Sequence, residues 1–246
     1  MEVTGNTMLD DLKSDQSFGV LAHAANDSYL DTVDTEKWGS RAELMKRDGT
    51  DCLIVQNDSD LVVAFRGTSS LRDWLTDSDT KRLHFDGIGH IHAGFGHAWR
   101  AIEHTLLKKI RQTGQRIWLT GHSLGGALAT VAAESMHPGY KIHRLVTFGS
   151  PRVFSPKDAR RFRWRMKSRA FRVVHSNDLV PSVPTFFRYR HVGDLILIKE
   201  NGKVVWAADS MDLLIERILG FRFDMGRDHL MANYLQIGNA KCEQPS

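Results

Sequence analysis

The chain has 246 residues, 41% hydrophobic and 25% charged, and its 33 Lys and Arg outweigh 29 Asp and Glu for a formal net charge of +4. That composition excludes a disordered or collagen-like chain and provides enough apolar area for one α/β core, so a single domain over residues 1–246 is expected. The modest charge argues against a dedicated nucleic-acid protein, and no apolar run approaches the roughly 18 residues of a membrane span.

Residues 1–15 are polar and acidic, without the basic stretch and apolar run of a secretory leader. This fits a cytoplasmic protein, or a secreted one whose leader has been removed. Residues 18–30 carry small side chains and read as a helix. Cys52 falls in the apolar strand Cys52-Leu53-Ile54-Val55 and Cys242 near the C-terminus; the pair fits either an end-to-end disulfide or two free thiols in a reducing compartment. Asp60-Leu61-Val62-Val63-Ala64-Phe65 is another strand, leading into Arg66-Gly67-Thr68. Thr68 has a backbone N–H and a hydroxyl to offer a developing negative charge, or it is an ordinary turn residue.

In residues 69–79, Leu71, Trp74 and Leu75 share one face at helical spacing, with charges on the other. A short amphipathic helix is predicted, either fixed on the surface or serving as a lid. His90 and His92 are assigned to the loop before Gly94. Neither they nor His137 and His143 have cysteine or carboxylate partners at ligand spacing, and Asp73, Asp77 and Asp79 do not follow a calcium loop. No metal or other cofactor is expected.

The most informative stretch is Trp118-Leu119-Thr120-Gly121-His122-Ser123-Leu124-Gly125-Gly126-Ala127-Leu128-Ala129. Residues 115–120 form an apolar strand, and residues 124–136 are rich in small helix formers, so Ser123 sits on a strand-to-helix turn. In a Gly-x-Ser-x-Gly elbow the glycines clear space around a strained serine and lift its hydroxyl into a cleft. The next amide, that of Leu124, lies at a helix N-terminus where free N–H groups can receive an oxyanion. A glycine-rich turn with an inert serine is the plainer alternative.

An activated serine needs a histidine base and a carboxylate to orient it. Downstream of Ser123 stand His137, His143, His175, His191 and His229. His137 follows the elbow helix, His143 precedes the next strand and His175 ends the strand of residues 170–174, so a late loop histidine is the best placed. His229 follows an apolar helical stretch at 211–219 and opens a last helix. His191 is its rival, although it begins a hairpin that turns at Asn201-Gly202. For the acid, Asp178 stands just beyond an apolar strand, where open parallel sheets place functional groups. Asp158, Asp194, Asp209 and Asp212 read as exposed turn or helix charges.

Residues 157–172 concentrate Lys157, Arg160, Arg161, Arg163, Arg165, Lys167, Arg169 and Arg172 around a lone Asp158, interleaved with Phe162, Trp164, Met166 and Phe171. The segment is either a solvated helix and loop or a contact with anionic lipid through Arg161, Arg163 and Arg165 that turns the cleft toward the bilayer. Nucleic acid is a poor third.

Together these motifs make the chain resemble the class 3 lipases, an α/β-hydrolase family that includes the fungal-type triacylglycerol lipases. The resemblance rests on Gly121-His122-Ser123-Leu124-Gly125-Gly126-Ala127, Val63-Ala64-Phe65-Arg66-Gly67-Thr68, His92-Ala93-Gly94-Phe95, Thr147-Phe148-Gly149-Ser150-Pro151-Arg152, Asn177-Asp178-Leu179-Val180-Pro181 and Asp228-His229, in the family's order. It implies an α/β-hydrolase fold, a mostly parallel central sheet flanked by helices with a short lid helix at residues 69–79. It also implies a Ser123, Asp178 and His229 triad, an oxyanion hole from Thr68 and the Leu124 amide, and lid or substrate contacts from Leu71, Trp74 and Leu75. The expected reaction is hydrolysis of lipid carboxylic esters through an acyl-enzyme, with phospholipase A1, monoacylglycerol lipase and short-chain carboxylesterase as alternatives. A non-catalytic lipid-binding or nucleic-acid-binding module on the same frame would be free to lose Ser123, Asp178, His229 or Thr68, and all four are present.

Overall fold

Alternation along residues 60–65 sets the architecture: Leu61, Val63 and Phe65 enter one apolar cluster, while Val62 and Ala64 enter another on the opposite face. A strand buried on both faces is the signature of a parallel sheet covered by helices on each side. The computed structural model of the chain describes residues 7–13, 16–39, 41–67, 81–110, 114–137, 139–176, 178–182, 184, 188–206 and 229–239. The statements below concern those residues.

The strands are β1 (Glu43–Arg47), β2 (Thr50–Gln56), β3 (Asp60–Phe65), β4 (Arg82–Phe85), β5 (Gly89–His92), β6 (Arg116–His122), β7 (Ile142–Phe148), β8 (Ala170–His175), β9 (Asp194–Ile198) and β10 (Val204–Trp206). Eight of them form one sheet in the order β1-β2-β3-β6-β7-β8-β9-β10, while β4 and β5 make a separate hairpin. Pairing from β3 through β9 is parallel and the flanking pairs are antiparallel, as the mostly parallel expectation required. The helices are α1 (Ser17–Asp27), α2 (Thr35–Trp38), α3 (Ala93–Ile110), α4 (Leu124–Met136) and α5 (Pro156–Arg165). On one face, α3, α4 and α5 pack through Trp99, Leu106, Leu128 and Phe162. On the other, α1 and the C-terminal residues pack through Phe18, Leu21, Met231, Tyr234 and Ile237.

Several expectations need correction. His143 lies within β7 rather than before it, and His90 and His92 lie in β5 rather than in a loop. The last helix expected after His229 is present in 3-10 form, as Met231–Asn233 and Leu235–Asn239. The sequence holds the reason, since the buried Met231, Tyr234 and Ile237 recur every third residue, the repeat of a 3-10 helix. Cys52 is a buried free thiol in β2. Thr68, the lid residues Leu71, Trp74 and Leu75, the stretch at 211–219 and Cys242 lie outside the described residues. No described helix is long and apolar enough to cross a membrane.

Candidate active site

β6 ends at His122 and α4 begins at Leu124, which leaves Ser123 alone on the turn with φ 58° and ψ −128°. A side-chain-bearing residue persists there only when its surroundings hold it. Here the Ser123 N–H donates to the Phe148 carbonyl at 2.9 Å, and the Ser123 carbonyl accepts from Gly126 at 3.0 Å. The flanking glycines are obligatory. A Cβ on Gly121 would lie 2.8 Å from the Gly126 nitrogen, and one on Gly125 would lie 2.8 Å from the Phe65 carbonyl carbon. Ser123 is buried, and its Oγ has no hydrogen-bond partner among the described residues. Leu124 opens α4, where the first N–H groups lack intrahelical acceptors.

Asp178 is fully buried just past the end of β8. Its Oδ2 accepts from His229 Nδ1 at 2.7 Å and from the Tyr234 hydroxyl, and its Oδ1 accepts from the Val180 N–H at 2.9 Å. An ionised carboxylate only accepts, so a neutral His229 carries its proton on Nδ1 and keeps a lone pair on Nε2. That Nε2 is buried and has no partner among the described residues. Gly149, with φ 55°, closes the backbone onto the group: a Cβ there would come within 2.7 Å of Asp178 Oδ2 and 2.9 Å of His229 Cε1. This accounts for the glycine in Thr147-Phe148-Gly149-Ser150-Pro151.

The sequence profile described as Lipase (class 3) matches residues 62–188. The chain belongs to the class 3 lipase family. A secreted mono- and diacylglycerol lipase 1 of Fusarium solani is 35% identical over 141 residues, 54% of this chain and 42% of that protein. The secreted mono- and diacylglycerol lipase A of Penicillium cyclopium is 31% identical over 149 residues, 56% of this chain and 48% of that one. The matches thus span less than half the length of these relatives. Among solved structures, lipase II of Rhizopus niveus superposes with a TM-score of 0.70 over 92% of this chain and 94% of its own, at 22% identity. That likeness shows the α/β-hydrolase fold.

In this family member the rival residues His191 and His143 are engaged elsewhere. His191 Nε2 lies 2.6 Å from the Pro181 carbonyl, and His143 packs on Trp118 with ring centroids 4.4 Å apart. Asp194 is exposed, while Asp209 and Asp212 lie outside the described residues. Asp158 is not the exposed charge expected of it: it is buried, accepts from Ser155 and pairs with Arg161 at 3.0 Å. Arg161 and Arg165 also turn inward, to the buried Glu134 at 2.8 and 2.7 Å. Burial pushes the Glu134 carboxyl up, against the pull of Arg165 and Arg161. The sequence gives no local sign of that pairing, because Glu134 is on α4 and its partners are on α5. Among the described residues, no cluster of three His, Cys, Asp or Glu side chains could hold a metal.

Three side chains around the site escaped the sequence reading. Tyr234 reaches Asp178, His122 stacks beside His229 with centroids 4.4 Å apart at 30°, and the Tyr29 hydroxyl lies 3.0 Å from His122 Nδ1. Burial, and then the charge of His229, hold the His122 imidazole well below its ordinary pKa. Only the spacing of Tyr234 within its 3-10 turns offered a signal, and that signal indicated burial rather than contact with the acid.

Proposed function

We propose that the chain is a single α/β-hydrolase unit that cleaves carboxylic esters of lipids, with Ser123 as nucleophile, His229 as general base and Asp178 as its orienting acid. The observation that carries this reading is the 2.7 Å bond from His229 Nδ1 to the buried Asp178, packed on Gly149, while the adjoining Phe148 carbonyl holds the strained Ser123 of a glycine-flanked elbow. Ser123 Oγ attacks the ester carbonyl carbon as His229 Nε2 takes its proton, and the carbonyl oxygen becomes an oxyanion. The Leu124 N–H and Thr68 receive that charge. His229 then returns the proton to the leaving alcohol, which departs as the acyl-enzyme forms. Water, activated by the same imidazole, attacks the acyl carbon and frees the acid and Ser123.

Lipid is favoured as the substrate class because the Fusarium and Penicillium relatives are named mono- and diacylglycerol lipases. Leu71, Trp74 and Leu75, just after Thr68, are apolar residues at helical spacing in the sequence, which suits a lid and acyl-chain contact. Hydrolysis of p-nitrophenyl esters with two to sixteen carbons, below and above micelle formation, tests the assignment. Activity confined to dissolved acetate esters would make the protein a short-chain carboxylesterase. Tyr234→Phe should lower kcat about tenfold at unchanged KM, because a hydrogen bond to a charged group contributes about 1.5–3 kcal/mol, part of which orients the acid. Equal kcat in steady-state assays would make Tyr234 a packing residue only.

A second surface bears on partners. With Arg161 and Arg165 turned inward, the outer side of α5 presents Lys157, Arg160, Arg163 and the 82% exposed Trp164, with Lys167 just beyond. We infer that this stripe contacts anionic lipid. We read its position as the end of the sheet away from Ser123, which favours a contact that leaves the cleft off the bilayer. β7 ends beside Ser123 and α5 runs back toward the start of β8, which puts Trp164 at the opposite end of the sheet. Each cation near an anionic surface contributes roughly 1 kcal/mol, screened by salt. Arg163→Gln with Trp164→Ala should therefore reduce co-sedimentation with anionic vesicles at low salt, sparing turnover of a soluble ester. Undiminished vesicle binding, or a loss seen only in a nucleic-acid shift assay, would overturn this assignment.

A further inference from the structure

The oxyanion-binding groups in the reading above come from two segments far apart in sequence: Thr68 after β3, and the Leu124 amide at the start of α4. For a tetrahedral intermediate to be held, these segments need a fixed separation, since a misplacement of about 1 Å can cost roughly 10²-fold in rate. Tyr29 stands at their junction. It follows the end of α1, where the Ser28 hydroxyl bonds the Ala25 carbonyl at 2.8 Å and the Tyr29 N–H bonds the Asn26 carbonyl at 3.1 Å, so its backbone is anchored.

From there the phenol reaches across to the strand ends. Its hydroxyl is 3.0 Å from Nδ1 of His122, the residue before Ser123. It also presses on Gly67, the residue before Thr68: a Cβ on Gly67 would overlap the Tyr29 hydroxyl and lie 2.8 Å from the His122 carbonyl oxygen. Any side chain at position 67 would therefore part the phenol, the β3 end and the β6 end. The Arg66 guanidinium lies over the Tyr29 ring, 5.9 Å from its centroid. On its far side, His122 stacks on His229 with centroids 4.4 Å apart. One hydroxyl thus links the segment carrying Thr68, the segment carrying Ser123 and, through the His122 ring, the proposed base.

We propose that Tyr29 is a positioning residue for ester hydrolysis, its hydroxyl fixing the Gly67 backbone against His122 so that the two parts of the oxyanion hole are held in register. The proposal rests on the ester-hydrolase reading. The phenol donates to Nδ1 of a neutral His122, which leaves the proton of that imidazole on Nε2. Burial drives the Tyr29 hydroxyl up to about 12, so it remains a donor throughout the working pH range, although a hydrogen bond with the Gly67 backbone and the nearby Arg66 pull the other way. A neutral His122 adds no positive charge beside the imidazolium that forms on His229 during acylation. Tyr29 touches none of the reacting atoms in this scheme, and its influence passes through Gly67 and His122.

The test uses the full chain with a dissolved p-nitrophenyl butyrate, and separately with diethyl p-nitrophenyl phosphate, which phosphorylates a serine nucleophile and releases one p-nitrophenol. Tyr29→Phe should lower kcat ten- to a hundredfold and slow phosphorylation to a similar degree, with KM within twofold and the thermal midpoint little changed. His122→Phe, which keeps a flat ring and deletes the acceptor, should show a comparable loss. The double variant should be no worse than the poorer single one, because both substitutions cut the same bond. A kcat within twofold of the parent for Tyr29→Phe, or losses that multiply in the double variant, would overturn the proposal. If His122→Phe does not fold, the split between kcat and KM in Tyr29→Phe decides alone. A parent protein that hydrolyses no ester and takes no phosphoryl label at Ser123 would instead remove the hydrolase reading, and the proposal with it.

Discussion

Ser123→Ala is expected to lower turnover of a soluble ester by about 10⁴-fold or more while leaving the protein at least as stable as the parent. The loss follows from chemistry, since without Oγ no acyl-enzyme can form and only the oxyanion donors and binding remain. The retained stability follows from the site. Ser123 Oγ is buried without a hydrogen-bond partner among the described residues, so its removal strands none of their polar groups. Alanine keeps the Cβ, and the backbone stays at φ 58° under the same constraints from Phe148 and Gly126. A thermal melt should therefore show an unchanged or raised midpoint while hydrolysis disappears, the usual trade where an active site stores strain. Residual kcat above a few per cent, in a preparation of verified mass, would remove Ser123 from the role of nucleophile.

Those parts of the fold that sequence alone displayed are the ones whose local pattern and tertiary surroundings agree. Residues 60–65 and 124–136 were read with the bounds they have in the structure, because an apolar run buried on both faces and a small-residue helix beginning at a glycine elbow have few other interpretations. The elbow itself was legible for the same reason: the glycines are where a Cβ would strike backbone. What the sequence hid is contact between distant segments. Asp158 reads as an ordinary surface charge, yet it is buried against the His90 N–H and Arg161, and only the packing of α5 on α4 brings Arg161 and Arg165 to the buried Glu134. Tyr29 is in the same class, because nothing near the end of α1 indicates that its hydroxyl meets His122. The helix after His229 is visible in the sequence as a helix, while its 3-10 form follows from the burial of every third residue, Met231, Tyr234 and Ile237.

Asp178→Asn is expected to differ from Ser123→Ala in kind, costing about 10³- to 10⁴-fold in kcat and destabilising the fold as well. Donors converge on this buried carboxylate, among them the Val180 N–H on Oδ1 and both His229 Nδ1 and the Tyr234 hydroxyl on Oδ2. An asparagine has one oxygen to offer and an NH₂ group that can only donate. With its oxygen toward His229 and Tyr234, the amide nitrogen opposes the Val180 N–H; with the amide flipped, the NH₂ faces His229 and Tyr234. The flipped form also forces the imidazole proton onto Nε2, the atom proposed to accept the Ser123 proton. Either arrangement leaves a buried donor unsatisfied at about 1–3 kcal/mol, so the thermal midpoint should fall. His229→Ala should match Ser123→Ala in lost kcat, since it deletes the proposed base. His191→Ala should leave kcat close to the parent's, its Nε2 being bound to the Pro181 carbonyl. Steady-state kinetics and thermal melts on the three variants check the scheme together. Activity abolished by His191→Ala and kept by His229→Ala would reverse the assignment of the base, and an Asp178→Asn protein with parental kcat would show that His229 needs no carboxylate to orient it.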